Sequence, residues 1–464
     1  MIELRGATLT TLAVLIQTGQ HSSVEVTEAY LARIDKYNPA LNAYLKVFEA
    51  EALAAAKEAD DEIAAERVRG PLHGVPIAVK DIIDVAGHAT TAGGILLSDE
   101  PAREDAEVIA RLRNAGAVIL GKLNLHEYAW GGTTDNPHYG RCFNPWKEGH
   151  SPGGSSGGSG AAVAADLCAA ALGTDTLGSV RIPSSYCGCV GIKPTAGRVS
   201  NRGVYPLSWS LDNVGPLAMR VQDALAVLNA LAGYDSGDAY SVQDPFESIS
   251  VEDRPKMKGL RVGVPNDWVR DGADSPEEKA VLEAFSAAVD VLVNLGCETV
   301  DLDTPNLAGS MQAAFRIALA DAAAIHKEHM EKNPDKIGDD VCQLLEMGAN
   351  LPGTDVAEAF HEGTLVRHRM AAVMEKVDCL VTPTTPAPAH AFDAGSARNV
   401  AKFTGPYNLL GYPAVSLPCG FTEDGLPIGL MIAAAPFQEA KALQVAQAYE
   451  AATDWKDRLP EGFD

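Results

Sequence analysis

Ser151-Pro-Gly-Gly-Ser-Ser-Gly-Gly-Ser-Gly160 runs without a polar spacer into a stretch made almost wholly of alanine, valine and leucine, and Gly173-Thr-Asp-Thr-Leu-Gly-Ser-Val-Arg-Ile-Pro183 follows it. A loop this rich in glycine and serine, feeding what reads as a buried helix over 161–173, presents backbone N–H groups to whatever binds at the helix start. A flexible linker, a phosphate cradle and a catalytic loop all share the composition. A linker should separate two domains, yet here the apolar run begins at once. A P-loop needs a lysine after its last glycine and a strand before its first. Here Ser159 follows Gly158, and Trp146-Lys147-Glu148-Gly149-His150 is not strand-like.

The catalytic reading has two versions. Gly153-Gly-Ser-Ser-Gly157 satisfies the G-x-S-x-G elbow of α/β-hydrolase-type esterases, but that elbow needs a hydrophobic strand directly before it and a downstream acid and histidine. The candidate histidines, such as His390, carry no motif of their own. The other version places the nucleophile at Ser179. The N–H groups of Thr176, Leu177, Gly178 and Ser179 would then lie beside it, a geometry suited to an oxyanion. Taken alone, that second cluster also reads as an ordinary polar turn.

Working outward, short apolar segments at 76–79, 118–120, 261–264, 299–302 and 379–382 read as strands alternating with helices, which predicts an α/β fold on a mixed sheet. Upstream, 9–16 reads as an amphipathic helix. Ser22-Ser-Val-Glu25 reads as a capping box opening a second helix, with Val24, Thr27, Leu31 and Ile34 on one face. Residues 47–67 continue helical until Gly70-Pro71 stops them. Helical periodicity and acidic residues dominate 271–369, which predicts a helical layer or lid on the core.

The 464 residues, 46% hydrophobic and 21% charged, match an ordinary folded soluble chain. A formal net charge of −25 repels phosphate backbones and anionic lipid, so neither nucleic acid nor membrane is an expected partner. Cys142, Cys168, Cys187, Cys189, Cys297, Cys342, Cys379 and Cys419 are scattered, with one C-x-C and no second pair, which predicts free thiols in a reducing cytoplasm and no metal. The longest small-apolar run contains Asp166 and falls short of the roughly 20 residues a bilayer requires.

Together with Gly74-Val-Pro-Ile-Ala-Val-Lys-Asp81, the two glycine- and serine-rich clusters resemble the amidase-signature family. The likeness runs on through Cys187-Gly-Cys-Val-Gly-Ile-Lys-Pro-Thr195, Gly121-Lys-Leu-Asn124, Asn144-Pro-Trp146, Asp212-Asn-Val-Gly-Pro216, Asn408-Leu-Leu-Gly-Tyr-Pro-Ala-Val-Ser-Leu-Pro418 and Gly425-Leu-Pro-Ile-Gly429. The resemblance implies a twisted mixed sheet surrounded by helices, in one domain over 1–464. Its segments would be N-terminal helices (1–70), a signature core (71–225), a variable helix-rich cleft region (226–370) and a C-terminal core segment (371–464).

The resemblance also implies a catalytic lysine at Lys80, a bridging serine held by a cis peptide at Ser155 and an acyl-forming nucleophile at Ser179. Thr176, Leu177 and Gly178 would form the oxyanion hole, and Gly132 and Thr133 would touch substrate. Trp130 is either on the same loop wall or core. Asp175 and Arg181 are expected to brace the loop as an ion pair. To act as a base near neutral pH, Lys80 must lose about 3 pH units of basicity, which burial can supply. Strand alternation helps by turning Asp81 to the opposite face. Many family members carry glycine where this chain has Leu177, so a changed acyl or leaving-group preference is expected.

The activity implied is hydrolysis of amide, carbamate (urethane) or ester bonds of a small molecule through an acyl-enzyme, without cofactor, with a homodimer compatible. The alternatives are a glutaminase-type amidotransferase component working beside partner subunits, the elbow esterase, and a non-catalytic scaffold.

Overall fold

In the computed structural model, which describes residues 2–97, 99–302, 307–394 and 399–464, eleven strands form one sheet. They are β1 (Tyr44–Val47), β2 (Pro76–Lys80), β3 (Val118–Leu123), β4 (Ala170–Asp175), β5 (Val190–Lys193), β6 (Asn213–Ala218), β7 (Arg261–Val264), β8 (Glu298–Asp301), β9 (Cys379–Pro383), β10 (Ala414–Phe421) and β11 (Pro427–Ala433). Their order across the sheet is β1-β3-β2-β4-β6-β5-β10-β11-β9-β7-β8. β2 runs parallel to β3 and β4, and β7 parallel to β8 and β9, while the middle of the sheet is antiparallel. The expected α/β class and mixed sheet are therefore found. The central strands β2, β3, β4 and β6 are buried along their whole length, consistent with helical cover on both faces.

The capping box forms as read: Ser22 Oγ accepts from Glu25 N–H at 3.0 Å, and Glu25 Oε2 accepts from Ser22 N–H at 2.9 Å, opening the helix Ser23–Leu41. Two expectations need correction. Val47 ends β1 rather than opening a helix, which spans Glu49–Ala64. The run 161–173 is not one helix. It divides into the helix Gly157–Ala164 and the strand β4, with Asp166 at φ +53° between them. An apolar run with no polar face is ambiguous between buried helix and buried strand. The break is fixed by a distant contact, since Asp166 accepts from the N–H of Gly6 at 3.1 Å and from Arg5 at 3.3 Å.

The helical layer expected over 271–369 consists of Pro276–Asn294, Leu307–Ile325, Lys327–Lys332, Asp339–Ala349 and Gly353–Met374, with β8 inserted as an edge strand. No helix among the described residues is long and apolar enough to cross a membrane.

Candidate active site

The parallel pairing of β2 with β4 sets Val79 beside Leu172, so the two strands end together, β2 on Lys80 and β4 on Thr174 and Asp175. Carboxyl ends of parallel strands are where open α/β sheets form crevices. Lys80 is fully buried, and its Nζ donates to Ser155 Oγ at 2.7 Å and to Thr174 Oγ1 at 2.8 Å. Burial drives its pKa down to about 7, against the opposing pull of Asp212 and Asp175. The neighbouring Asp81 points the other way, as strand alternation predicts, and accepts from Lys122 Nζ at 3.0 Å.

Ser155 is equally buried and follows a cis Gly154–Ser155 peptide. Gly154 is required there for space, because a Cβ would lie 2.6 Å from the backbone N of Thr133. The helix Gly157–Ala164 begins immediately after the loop. No strand precedes Gly153, whose flanking residues 151–153 are irregular, so the elbow geometry is not present. His390 Nδ1, buried, has no hydrogen-bond partner.

Ser179 stands at the wall of a cavity of about 610 Å³ that Gly154, next to the buried Ser155, also lines. The two serine segments meet through the backbone, Ser156 N–H donating to Ser179 C=O at 3.3 Å. No hydrogen bond joins Ser155 Oγ and Ser179 Oγ. Catalytic contacts commonly tighten only once substrate is bound. Among the described residues, the N–H groups of Thr176, Leu177, Gly178 and Ser179 donate to no protein acceptor, which leaves them available to a ligand oxygen. Gly178 adopts φ +132°, and a Cβ there would strike Thr404 at 2.2 Å. The loop is pinned on both sides: Thr404 Oγ1 donates to Leu177 C=O at 2.6 Å, and Thr176 Oγ1 donates to Asp212 Oδ1 at 2.6 Å.

Asp175 and Arg181 form the expected brace. The guanidinium reaches both carboxylate oxygens, Nη2 to Oδ1 at 2.9 Å and Nε to Oδ2 at 3.0 Å, with both side chains fully buried. Burial alone would raise the Asp175 pKa, but the Arg181 charge and hydrogen bonds outweigh it and hold the carboxyl at about 2. Asp175 Oδ2 also accepts from the N–H of Val180 at 3.2 Å, so the pair fixes the chain immediately after Ser179.

Gly132 and Thr133 line the cavity, as does Trp130, which is 5% exposed and belongs to both wall and core. The far wall comes from the segment 226–370 expected to form the cleft, though none of its residues was singled out from sequence. Met311 and Phe315 come from the helix Leu307–Ile325, and Asp340 and Leu344 from Asp339–Ala349. His126 also went unnoticed; one ring nitrogen lies 2.9 Å from Asp340 Oδ2 and the other 3.2 Å from Thr133 Oγ1. Thr174 stood within a quoted motif and could have been singled out, since it lies near the end of β4, beside the end of β2 that carries Lys80. The helix residues carry no local signal. Among the described residues no cluster of three or more His, Cys, Asp or Glu has the disposition of a metal site.

A buried lysine whose pKa burial lowers, in contact with a buried serine, and a cavity wall that bears a second serine and unbonded N–H groups make up the candidate site. The amidase family model matches residues 25–443, and the chain belongs to the amidase family, an amide-hydrolysing enzyme of the amidase-signature type. It is 40% identical to a Pseudomonas putida amidase over 99% of both chains. It is 37% identical to the A subunit of the glutamyl-tRNA(Gln) amidotransferase of Thermosynechococcus vestitus, over 95% of this chain and 97% of that one. Among solved structures it superposes with a TM-score of 0.90, at 34% identity and covering 95% of this chain and 98% of the other, on a component of a vestigial protein complex described as revealing the origins of an s-triazine catabolic enzyme.

Proposed function

We propose that the protein is a free-standing serine amidase in which Ser179 attacks the carbonyl of a small amide, with Ser155 passing its proton to neutral Lys80. The observation that carries this reading is the buried 2.7 Å Lys80–Ser155 contact, adjoining Gly154, which lines the same cavity as Ser179. Ser179 Oγ bonds to the carbonyl carbon, and its proton moves through Ser155 to Lys80 Nζ. The oxyanion is taken by N–H groups of Thr176, Leu177 and Gly178. Collapse breaks the C–N bond, and the same relay run backwards protonates the departing amine. Water then enters along the cavity and repeats the sequence on the acyl-serine, freeing the acid.

The same route accommodates carbamates and esters, because only the leaving group changes. Gly132 and Thr133, on the cavity wall, are assigned to substrate contact. Since β1 through β11 belong to one sheet, the chain is read as a single catalytic domain. A second reading, a glutaminase-type component of a larger enzyme, is supported by the likeness to the A subunit of the amidotransferase. Glutamine hydrolysis that appears only beside a partner protein would favour it.

The test is peptide mapping after treatment with a serine-reactive fluorophosphonate. The expected adduct is on Ser179, and Lys80→Ala should slow labelling by roughly 10²–10⁴-fold, the usual worth of a general base. An adduct on Ser155 or Ser156 refutes the assignment.

A further inference from the structure

Among the described residues that line the cavity of Ser179, Asp340 is the one carboxylate. It is the second residue of the helix Asp339–Ala349, and each of its oxygens has one contact: Oδ1 accepts from the Val341 N–H at 2.9 Å, and Oδ2 lies 2.9 Å from His126 Nε2. The His126 side chain is 3% exposed, whereas that of Asp340 is 58% exposed, so the carboxylate keeps an open flank. Each carboxylate oxygen has two lone-pair sites, and one on each is left to fill. Burial alone would raise the Asp340 pKa, but the His126 contact and the Val341 N–H outweigh it and hold the carboxyl below its ordinary value.

A neutral imidazole satisfies both neighbours of His126. With its proton on Nε2 it donates to Asp340, and Nδ1 accepts from the Thr133 hydroxyl at 3.2 Å, whose oxygen in turn accepts from the Asp135 N–H at 3.3 Å. The pair then keeps the full negative charge of Asp340 at the cavity wall. The start of the helix has a separate anchor, since the Gly338 N–H donates to the buried Glu127 Oε2 at 2.8 Å. Around the carboxylate the wall is apolar. Leu344 lies one turn further along the helix, and Met311, Phe315 and Trp130 line the same cavity, the last two with ring centroids 5.8 Å apart. An anion on an apolar wall attracts a cation more strongly than one in open water, because less solvent screens it.

We propose that Asp340 determines substrate specificity: its carboxylate receives an ammonium group that the substrate carries at the end of an apolar spacer, remote from the amide that Ser179 attacks. This rests on the reading of Ser179 as the nucleophile. The spacer lies against Met311, Phe315 and Trp130, and the ammonium donates to the open side of Asp340. The substrate class is then an ω-amino amide or a mono-acylated diamine. An amide whose remote end is a carboxylate meets like charge there and is disfavoured.

The experiment measures kcat/KM of the full-length protein for two ladders of increasing chain length: ω-aminoalkanamides against alkanamides of equal length, and N-(ω-aminoalkyl)acetamides against N-alkylacetamides. A net charge of −25 favours cations over the whole surface, so the share of the site is read by comparing wild type with variants. At the best length of at least one ladder, the ammonium compound should be preferred roughly fivefold or more over its neutral isostere, the yield of one charge pair at a partly exposed site. Asp340→Asn should bring that preference below about twofold. Asp340→Glu should keep it with a shorter best spacer, because its carboxylate reaches one methylene further, and this variant decides the matter if Asp340→Asn does not fold. A preference absent at every length, or unchanged in Asp340→Asn, overturns the inference and leaves Asp340 a brace for His126. If Ser179→Ala hydrolyses the neutral amides at the wild-type rate, the failure lies instead with Ser179 as nucleophile.

Discussion

Arg181→Met separates the structural work of the Asp175–Arg181 pair from its electrostatic work. The substitution keeps an unbranched chain against Met431, whose Sδ lies 3.3 Å from Arg181 Nη1, but it strands Asp175 as a fully buried carboxylate. Breaking such a pair by removing one partner costs about 3–5 kcal/mol, most of it the uncompensated charge. Unfolding entropy of roughly 2.1 cal/mol/K per residue gives about 1 kcal/mol/K for this chain, so the melting temperature should fall by about 3–5 °C. Adding Asp175→Asn removes the stranded charge, so the double variant should recover at least half of the loss. Differential scanning calorimetry of the wild type, both single variants and the double variant closes the cycle. The sign of the pH dependence follows as well. The Asp175 carboxyl sits below its unfolded value, so the pair's contribution is complete above the ordinary Asp range and disappears as pH falls toward about 2. If Arg181→Met leaves the melting temperature within about 1 °C, or if the losses of the two single variants simply add, the brace argument is wrong.

Leu177→Gly should change selectivity rather than chemistry. Leu177 borders the cavity beside Met311 and comes within 3.7 Å of the Cβ position of Gly405, so its removal opens the acyl side. The ratio of kcat/KM for a bulky aryl amide over acetamide should change about tenfold or more, and an unchanged ratio sinks the expectation. Glu450→Gln tests a site away from the cavity. Burial pushes the Glu450 carboxyl up to about 7, and its Oε1 accepts from Val221 N–H at 2.9 Å. A carboxyl raised in the folded state stabilises fully below its unfolded pKa, and that contribution is lost as pH rises through about 7. The urea midpoint of the wild type should therefore drop more between pH 5 and pH 8.5 than that of the variant; parallel curves would contradict this.

What was legible in the sequence was whatever is local. The capping box and the strands at 76–79 and 261–264 follow from spacing and composition over a few residues, whereas Lys80 by itself reads as a strand-end surface lysine and its burial was expected only through the family resemblance. The reading of 161–173 as one helix fails because Arg5 and Gly6, over 150 residues upstream, fix Asp166 at the break. The resemblance placed the cleft wall in 226–370, but which of its residues face the cavity was unreadable for the same reason. Met311, Phe315 and Asp340 lie on amphipathic helices whose inward faces read as ordinary core until a fold brings them opposite Ser179.

The placement of Lys80 behind Ser155 has a chemical consequence. In the proposed mechanism, an amine whose basicity burial has lowered is itself an acyl acceptor, and an acyl ester formed on Ser179 would be an attractive target for it. Aminolysis of that ester would leave a permanent amide on the base and end the enzyme's life after a few turnovers. Interposing a hydroxyl lets protons through while keeping carbonyl carbon out. Under that mechanism Ser155 would serve as insulation as well as relay, and removing it should yield a protein prone to acylating its own lysine.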